Sequence, residues 1–271
     1  MNSSRNSRPP RLFIPSDQLP DIAGNEAHYL RNVLRVKLGD QLELFDGTGI
    51  VYQAEIKTIT KGSINCEIKT KQRSPNEPKI QITLAQALPK SSKMDLVVEK
   101  AVELGVDKIM PVLTERTIST RDKLIRWQKI AKEAAEQSGR AIVPAVTSLI
   151  KFDDLLKLRD QYDLALVAWE EEKTNKLKSL LTDSPTNGST GPSTSSGQHR
   201  AESRCSPSQP SRALSRDKLL LLIGPEGGFS AGEVEKAKTA GFISISLGKR
   251  ILRTETAGLA ALSAILYELD W

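Results

Sequence analysis

Between residues 219 and 257 the chain uses one device twice: a short apolar strand enters a glycine-containing loop, and the loop opens a helix. The first copy runs through residues 219–223 into Gly224-Pro225-Glu226-Gly227-Gly228-Phe229-Ser230. The second runs through residues 242–247 into Gly248-Lys249-Arg250-Ile251-Leu252-Arg253-Thr254-Glu255-Thr256-Ala257. Bare-backbone loops at the carboxyl ends of neighbouring strands are where an α/β sheet takes a small ligand. Ser230 and Glu233 have the spacing of a capping box for the helix that continues to Ala240 and stops at Gly241. Neither loop has the Walker spacing or the Gly-x-Gly-x-x-Gly dinucleotide fingerprint. Glycine clusters alone also suit an ordinary tight strand-to-helix turn.

The second loop adds the cations Lys249, Arg250 and Arg253. Such a run is either a solvated surface or a phosphate-contacting patch beside the ligand. Thr254 is placed to cap a final helix over 255–269, which puts Glu255 in the first turn, where the helix dipole favours a carboxylate. Ala257, Leu259, Ala260, Leu262, Ile265, Leu266 and Leu269 make that helix apolar nearly all round, as in a core or a subunit interface.

Upstream, residues 11–74 read as short strands around one amphipathic helix over 26–36, with Leu30, Val33 and Leu34 facing inward, which suits a small β-barrel. Pro75 and Pro78 mark a boundary. Strand and helix then alternate, as in an α/β domain over 75–271. Strands are predicted at 80–88, 108–113 and 163–169. Helices are predicted at 92–104, opened by Ser92 with Asp95 and closed by Gly105, and at 122–138 and 173–181. Residues 183–217, rich in Ser, Thr, Gly and Pro, read as a disordered insertion, and residues 1–10 as a flexible basic tail.

Composition narrows the function. Lys and Arg number 39 against 33 Asp and Glu, with a pI of about 9.2, a mild bias towards anionic partners. Cys66 and Cys205 cannot form a disulfide framework, so a reducing cytoplasm is expected; Cys66 alternates with Ile64 and Ile68 as a core residue. With only His28 and His199, no metal site and no histidine-based triad are expected, and no apolar run reaches membrane-spanning length.

Taken together, Ile223 through Ser230, followed by Leu247-Gly248-x-Arg250-Ile251-Leu252-Arg253-x-Glu255-Thr256-Ala257, closely resemble the RsmE family of S-adenosylmethionine-dependent methyltransferases in the SPOUT superfamily. Leu84-Ala85-Gln86-Ala87-Leu88-Pro89-Lys90, then Lys100-Ala101-x-Glu103-Leu104-Gly105-Val106, is similar to the family's first βα unit. Trp127 and Glu133 through Arg140 are similar to its middle helix. His28-Tyr29-Leu30-x-x-Val33-Leu34-Arg35, with Gly39-Asp40 and Phe45-Asp46-Gly47, resembles its amino-terminal domain. The long insertion departs from the usual short connection.

The resemblance implies a PUA-like β-barrel, then a SPOUT-type α/β domain with a carboxyl-terminal trefoil knot, acting as a homodimer. It implies methylation of N3 of one uridine in small-subunit (16S) ribosomal RNA, with S-adenosylmethionine as cofactor. The donor would rest on Leu222, Ile223, Gly224, Gly227, Gly228, Leu247, Gly248, Ile251, Leu252 and Arg253. Uridine N3 must lose a proton before it attacks, so a base or charge-stabilising cations are needed. Arg253 is the first candidate cation and Arg140 the second; Glu226 and Glu255 are candidate bases of equal standing. Arg11, Arg31, Arg35, Lys249 and Arg250 would hold RNA. The competing readings are an RNA-binding or ribosome-assembly protein with a vestigial donor pocket, and a methyltransferase for another RNA position.

Overall fold

The computed structural model describes residues 9–118, 121–182 and 217–269. Apart from their border residues, the basic tail and the long insertion lie outside the described residues.

The amino-terminal domain is a five-stranded sheet of β1 (Arg11–Phe13), β2 (Asp21–Ala23), β3 (Gln41–Phe45), β4 (Ile50–Ile59) and β5 (Ser63–Arg73), in the order β1-β3-β4-β5-β2. Only the β1–β3 pair is parallel. Register shifts at Gln53/Ala54 and Ile56/Thr58 interrupt the long β4–β5 ladder, and bulges of this kind bend a strand. Among the described residues the ladder does not return from β2 to β1, so the expected barrel is a curled sheet with two edges. Leu12, Ile14, Ile22, Leu42, Leu44, Ile56 and Ile64 fill its inner face together with Cys66, whose thiol burial pushes up to about 11.

The expected helix over 26–36 differs in the structure. α1 (Gly24–His28) runs into a π-turn at Tyr29–Val33. The wider turn rotates the following residues outward. Leu30 is fully buried, as expected, whereas Val33 is 60% and Leu34 37% exposed.

The second domain is a seven-stranded parallel sheet. Its strands are β6 (Gln81–Ala87), β7 (Lys108–Leu113), β8 (Ala145–Val146), β9 (Ile150–Lys151), β10 (Leu164–Ala168), β11 (Lys218–Ile223) and β12 (Ile243–Ile245). The order is β12-β10-β11-β6-β7-β8, with β9 also on β7. A parallel sheet is covered on both faces, so its strands carry apolar side chains in both directions. β11 does this: Leu219, Leu221 and Ile223 join one core, Leu220 and Leu222 the other. The first core is closed by α2 (Lys93–Leu104), α3 (Leu124–Ser138), α5 (Leu177–Thr182) and α7 (Thr254–Leu269). The second is closed by α4 (Phe152–Leu156) and α6 (Ala231–Thr239).

Helix ends follow local chemistry, with exceptions. Ser230 and Glu233 form the reciprocal capping box of α6. Gly105 ends α2 at φ +109°, where a Cβ would lie 2.7 Å from Pro78. Ser92 makes no side-chain cap; Asp95 instead accepts from Arg126 Nε at 2.9 Å and Trp127 Nε1 at 3.2 Å, tying α2 to α3. The predicted helix over 173–181 begins later, at Leu177, because Glu172 gathers the N–H groups of Thr174 and Asn175 into a turn.

Candidate active site

After β9 the chain passes to the far side of the sheet to form β10, then returns to insert β11 between β10 and β6. Such a reversal of strand order opens a crevice at the carboxyl edge. Here the crevice is a cavity of about 370 Å³. Its walls are the end of β10 with Trp169 and Glu170, the loop after β11, the loop after β12, and Lys93 and Ala257 from α2 and α7.

The two glycine loops that stand apart in sequence meet here. Ile223, Gly224, Gly228, Leu247, Gly248, Ile251, Leu252 and Arg253 line the cavity; Leu222 and Gly227 do not. Leu222 points into the core on the opposite face. Gly227 turns away, its carbonyl accepting from Arg116 Nη1 at 2.8 Å. Gly228 sits at φ +67°, and a Cβ on it would lie 2.3 Å from Glu170 Oε1. A side chain at this point would collide with the Glu170 carboxylate.

Thr254 is the first residue of α7 rather than its cap. Its hydroxyl donates to the Gly224 carbonyl at 2.5 Å and accepts from Gln86 Nε2 at 2.8 Å, so it stitches the two loops to the buried end of β6. Lys249, Arg250, Ile251 and Arg253 stand exposed around the opening.

The candidate bases share one cation. Lys93 Nζ lies 3.4 Å from Glu226 and 3.3 Å from Glu255. Glu226 lines the cavity, whereas Glu255 does not. Burial pushes the Glu226 carboxyl up. The N–H groups of Glu226 itself and of Lys90, with the Lys93 ammonium, outweigh that and hold it below the usual carboxylate range.

Two predicted site residues are placed elsewhere. Arg140 is 4% exposed and pairs with Glu77 at 2.8 Å while donating to the carbonyls of Val106 and Val102. Its charge is enclosed in the core and does not reach the cavity. Arg11 pairs with Glu43, donates to the Arg140 carbonyl at 2.7 Å and lies over the Phe45 ring, so it seals the seam between domains instead of facing solvent. Of the other candidate RNA contacts, Arg31 is held by the carbonyls of Thr60 and Lys61, and Arg35 is exposed at φ +54°.

Sequence reasoning passed over Lys93, Trp169 and Glu170. The signal was topological: all three sit just past or beside the carboxyl ends of β6 and β10, at the glycine loops' own edge. Among the described residues no His, Cys, Asp and Glu cluster could hold a metal ion, and no helix is long and apolar enough to cross a membrane.

Residues 75–266 match the family described as RNA methyltransferase domain, and residues 22–69 the family described as RNA methyltransferase PUA domain. The chain is 34% identical over 255 residues to ribosomal RNA small subunit methyltransferase E of Bacillus subtilis, spanning 92% of this chain and 90% of that one. It is 33% identical over 262 residues to the Synechocystis protein of the same name, spanning 94% and 76%. Its fold resembles ribosomal RNA small subunit methyltransferase E of Neisseria gonorrhoeae, solved bound to S-adenosylmethionine, with a TM-score of 0.76 and 32% identity over 96% of this chain and 98% of that one. The chain therefore belongs to the ribosomal RNA small subunit methyltransferase E family of S-adenosylmethionine-dependent RNA methyltransferases.

Proposed function

We propose that this protein methylates N3 of one uridine in small-subunit (16S) ribosomal RNA, using S-adenosylmethionine. The observation that carries the reading is the convergence of two glycine loops on one cavity whose opening is rimmed by Lys249, Arg250 and Arg253.

The cavity fits the donor. Its size falls within the roughly 300–1,000 Å³ of small-molecule sites. Ile223, Leu247 and Leu252 offer apolar walls for a purine, and the glycine loops offer backbone N–H and C=O groups. When bound, the donor supplies an electrophilic methyl group. The chain's own residues prepare the nucleophile. Glu226, the carboxylate that lines the cavity, takes the N3 proton, and the Arg253 guanidinium faces the charge that develops on a uracil oxygen. Arg35, Lys249 and Arg250, all exposed, hold the RNA backbone through contacts that weaken with salt.

Two further features complete the reading. The chain works as a homodimer in the cytoplasm, with the exposed Ala260 and Ala264 of α7 and the buried Leu177 of α5 lining a second, more apolar hollow suited to a partner helix. The carboxyl-terminal segment is threaded as a trefoil knot. In support, α7 returns from the sheet edge at β12 to the first core, and Thr254 is bonded to Gly224.

The test is methyl transfer to small ribosomal subunits lacking the modification. An N3 methyl blocks the Watson–Crick edge, so reverse transcription should stop beside a single uridine. Transfer without such a stop would move the substrate to another position, and no transfer would refute the activity.

A further inference from the structure

When uridine loses its N3 proton, the negative charge is shared between O2 and O4, on either side of N3. A single arginine can face only one of them. We propose that the Lys93 ammonium is the second catalytic cation, facing the other uracil oxygen as charge develops; this rests on the uridine-N3 reading above.

Three observations carry the assignment. Lys93 lines the cavity from the first turn of α2, with its side chain 34% exposed. It is fixed from two sides, by Glu226 from the loop after β11 and by Glu255 from α7. A cation held in place before reaction contributes more than one that must reorganise. Arg253, by contrast, is exposed on the rim, and among the described residues its backbone carbonyl is engaged by Thr256 N and Ala257 N.

The charge count agrees. Before reaction one ammonium faces two carboxylates. The N3 proton passes to Glu226, which becomes neutral, and its negative charge reappears on the uracil. Lys93 therefore stays between two anions, Glu255 and the substrate, and keeps all its protons. The N3–C bond then forms as the methyl C–S bond breaks, with that electron pair left on sulfur. Glu255, half-buried beside Lys93, acts as a positioning residue and not as the base. The other charges nearby are the Glu170 carboxylate in the cavity wall and Arg253, Lys249 and Arg250 on the rim; Asp95, on α2, is occupied by Arg126 and Trp127 of α3.

The test compares Lys93→Met, Lys93→Gln and Lys93→Arg in the full chain, with melting curves to check folding and Lys93→Gln as a second neutral variant should Lys93→Met not fold. Calorimetry gives S-adenosylmethionine affinity, and single-turnover transfer to small ribosomal subunits gives the chemical step. The neutral variants should lose about 100-fold or more in single-turnover rate, with donor affinity changed by roughly threefold or less. Their deficit should shrink as the pH approaches that at which free uridine ionises unaided, and Lys93→Arg should recover part of the rate. A neutral variant that transfers at the wild-type rate would overturn the proposal. So would parallel losses of rate and donor affinity with a deficit that does not change with pH. Failure of the uridine-N3 reading looks different: the wild-type protein itself would leave no reverse-transcription stop at a uridine.

Discussion

The hydroxyl of Thr254 donates to the backbone carbonyl of Gly224 at 2.5 Å, joining the start of the last helix to the first glycine loop. The same oxygen accepts from Gln86 Nε2 at 2.8 Å, and Gln86 is fully buried. Thr254→Val keeps the shape but leaves a buried amide and a carbonyl each short of a partner. Unsatisfied buried groups cost about 1–3 kcal/mol. The denaturant midpoint should fall accordingly at constant slope, and donor affinity should weaken because both cavity loops lose their common anchor. Unchanged stability and affinity would mean that the bond ties nothing together.

Gly228 and Glu170 meet in the cavity wall. Gly228→Ala meets two penalties: a left-handed backbone, which costs an L-residue about 1–2 kcal/mol, and a clash with the Glu170 carboxylate. Calorimetry should show donor binding at least about tenfold weaker, since 1.4 kcal/mol is a factor of ten. The double variant with Glu170→Ala should recover part of the loss, because it removes the clash but not the backbone strain. A double variant as weak as the single one would show that only the backbone matters.

Arg140 separates what the sequence pattern says from what the structure says. Read as a catalytic cation, its loss should abolish turnover in a stable protein. Placed as it is at 5% side-chain exposure against the 13%-exposed Glu77, its loss leaves a largely enclosed carboxylate without its cation, with only the N–H groups of Ala141 and Ile142 among the described residues still donating to it. Removing one member of such a pair costs about 3–5 kcal/mol. Arg140→Ala should therefore unfold at markedly lower denaturant, while the fraction that is folded transfers methyl groups at close to the wild-type rate.

The glycine loops were legible because strand ends, glycines and capping boxes are local signals, and Ser230 with Glu233 forms the cap that its spacing demands. The burial of Leu30 was legible for the same reason, but not the outward turn of Val33 and Leu34, since a π-turn changes the helical period without a residue to announce it. Arg140 and Arg11 could not be assigned from sequence. Whether an arginine faces solvent or a buried glutamate depends on partners 63 residues away for Glu77 and 32 for Glu43. Lys93 was missed because it comes from a different βα unit than the glycine loops, and only the insertion of β11 beside β6 brings them together.

Glu172 should report acid-induced loosening of the segment beside the cavity. Its carboxylate accepts from the hydroxyl of Ser244 and from the hydroxyl and N–H of Thr174, bonds that hold its pKa down to about 2 against an ordinary 4.5. A depressed carboxylate pKa contributes stability that is complete above the ordinary value and lost as pH falls through the folded one. The window is therefore between 4.5 and about 2. The amide resonances of Thr174 and Asn175, which donate to this group, should shift with a midpoint at the lower end, and Glu172→Gln should abolish the transition. A midpoint at the ordinary value would mean that the bonds do not persist in solution.

Arg253 offers the sharpest division between binding and chemistry. Its carbonyl accepts from Thr256 N at 2.9 Å and Ala257 N at 2.8 Å, so the backbone that lines the cavity is fixed without the side chain. Arg253→Ala should therefore preserve the shape of the donor site while removing a cation from the rim. If the guanidinium stabilises charge on the uracil, turnover should fall by about 100-fold or more, the scale of one lost charge-stabilising donor, while donor affinity stays nearly constant. A purely phosphate-binding arginine would behave differently: methyl transfer at saturating RNA would be normal, and RNA affinity would lose about one unit of salt dependence. Equal losses in turnover and donor affinity would instead put the side chain in the donor site. Single-turnover rates, donor calorimetry and RNA binding across a salt series, measured on one variant, distinguish the three roles.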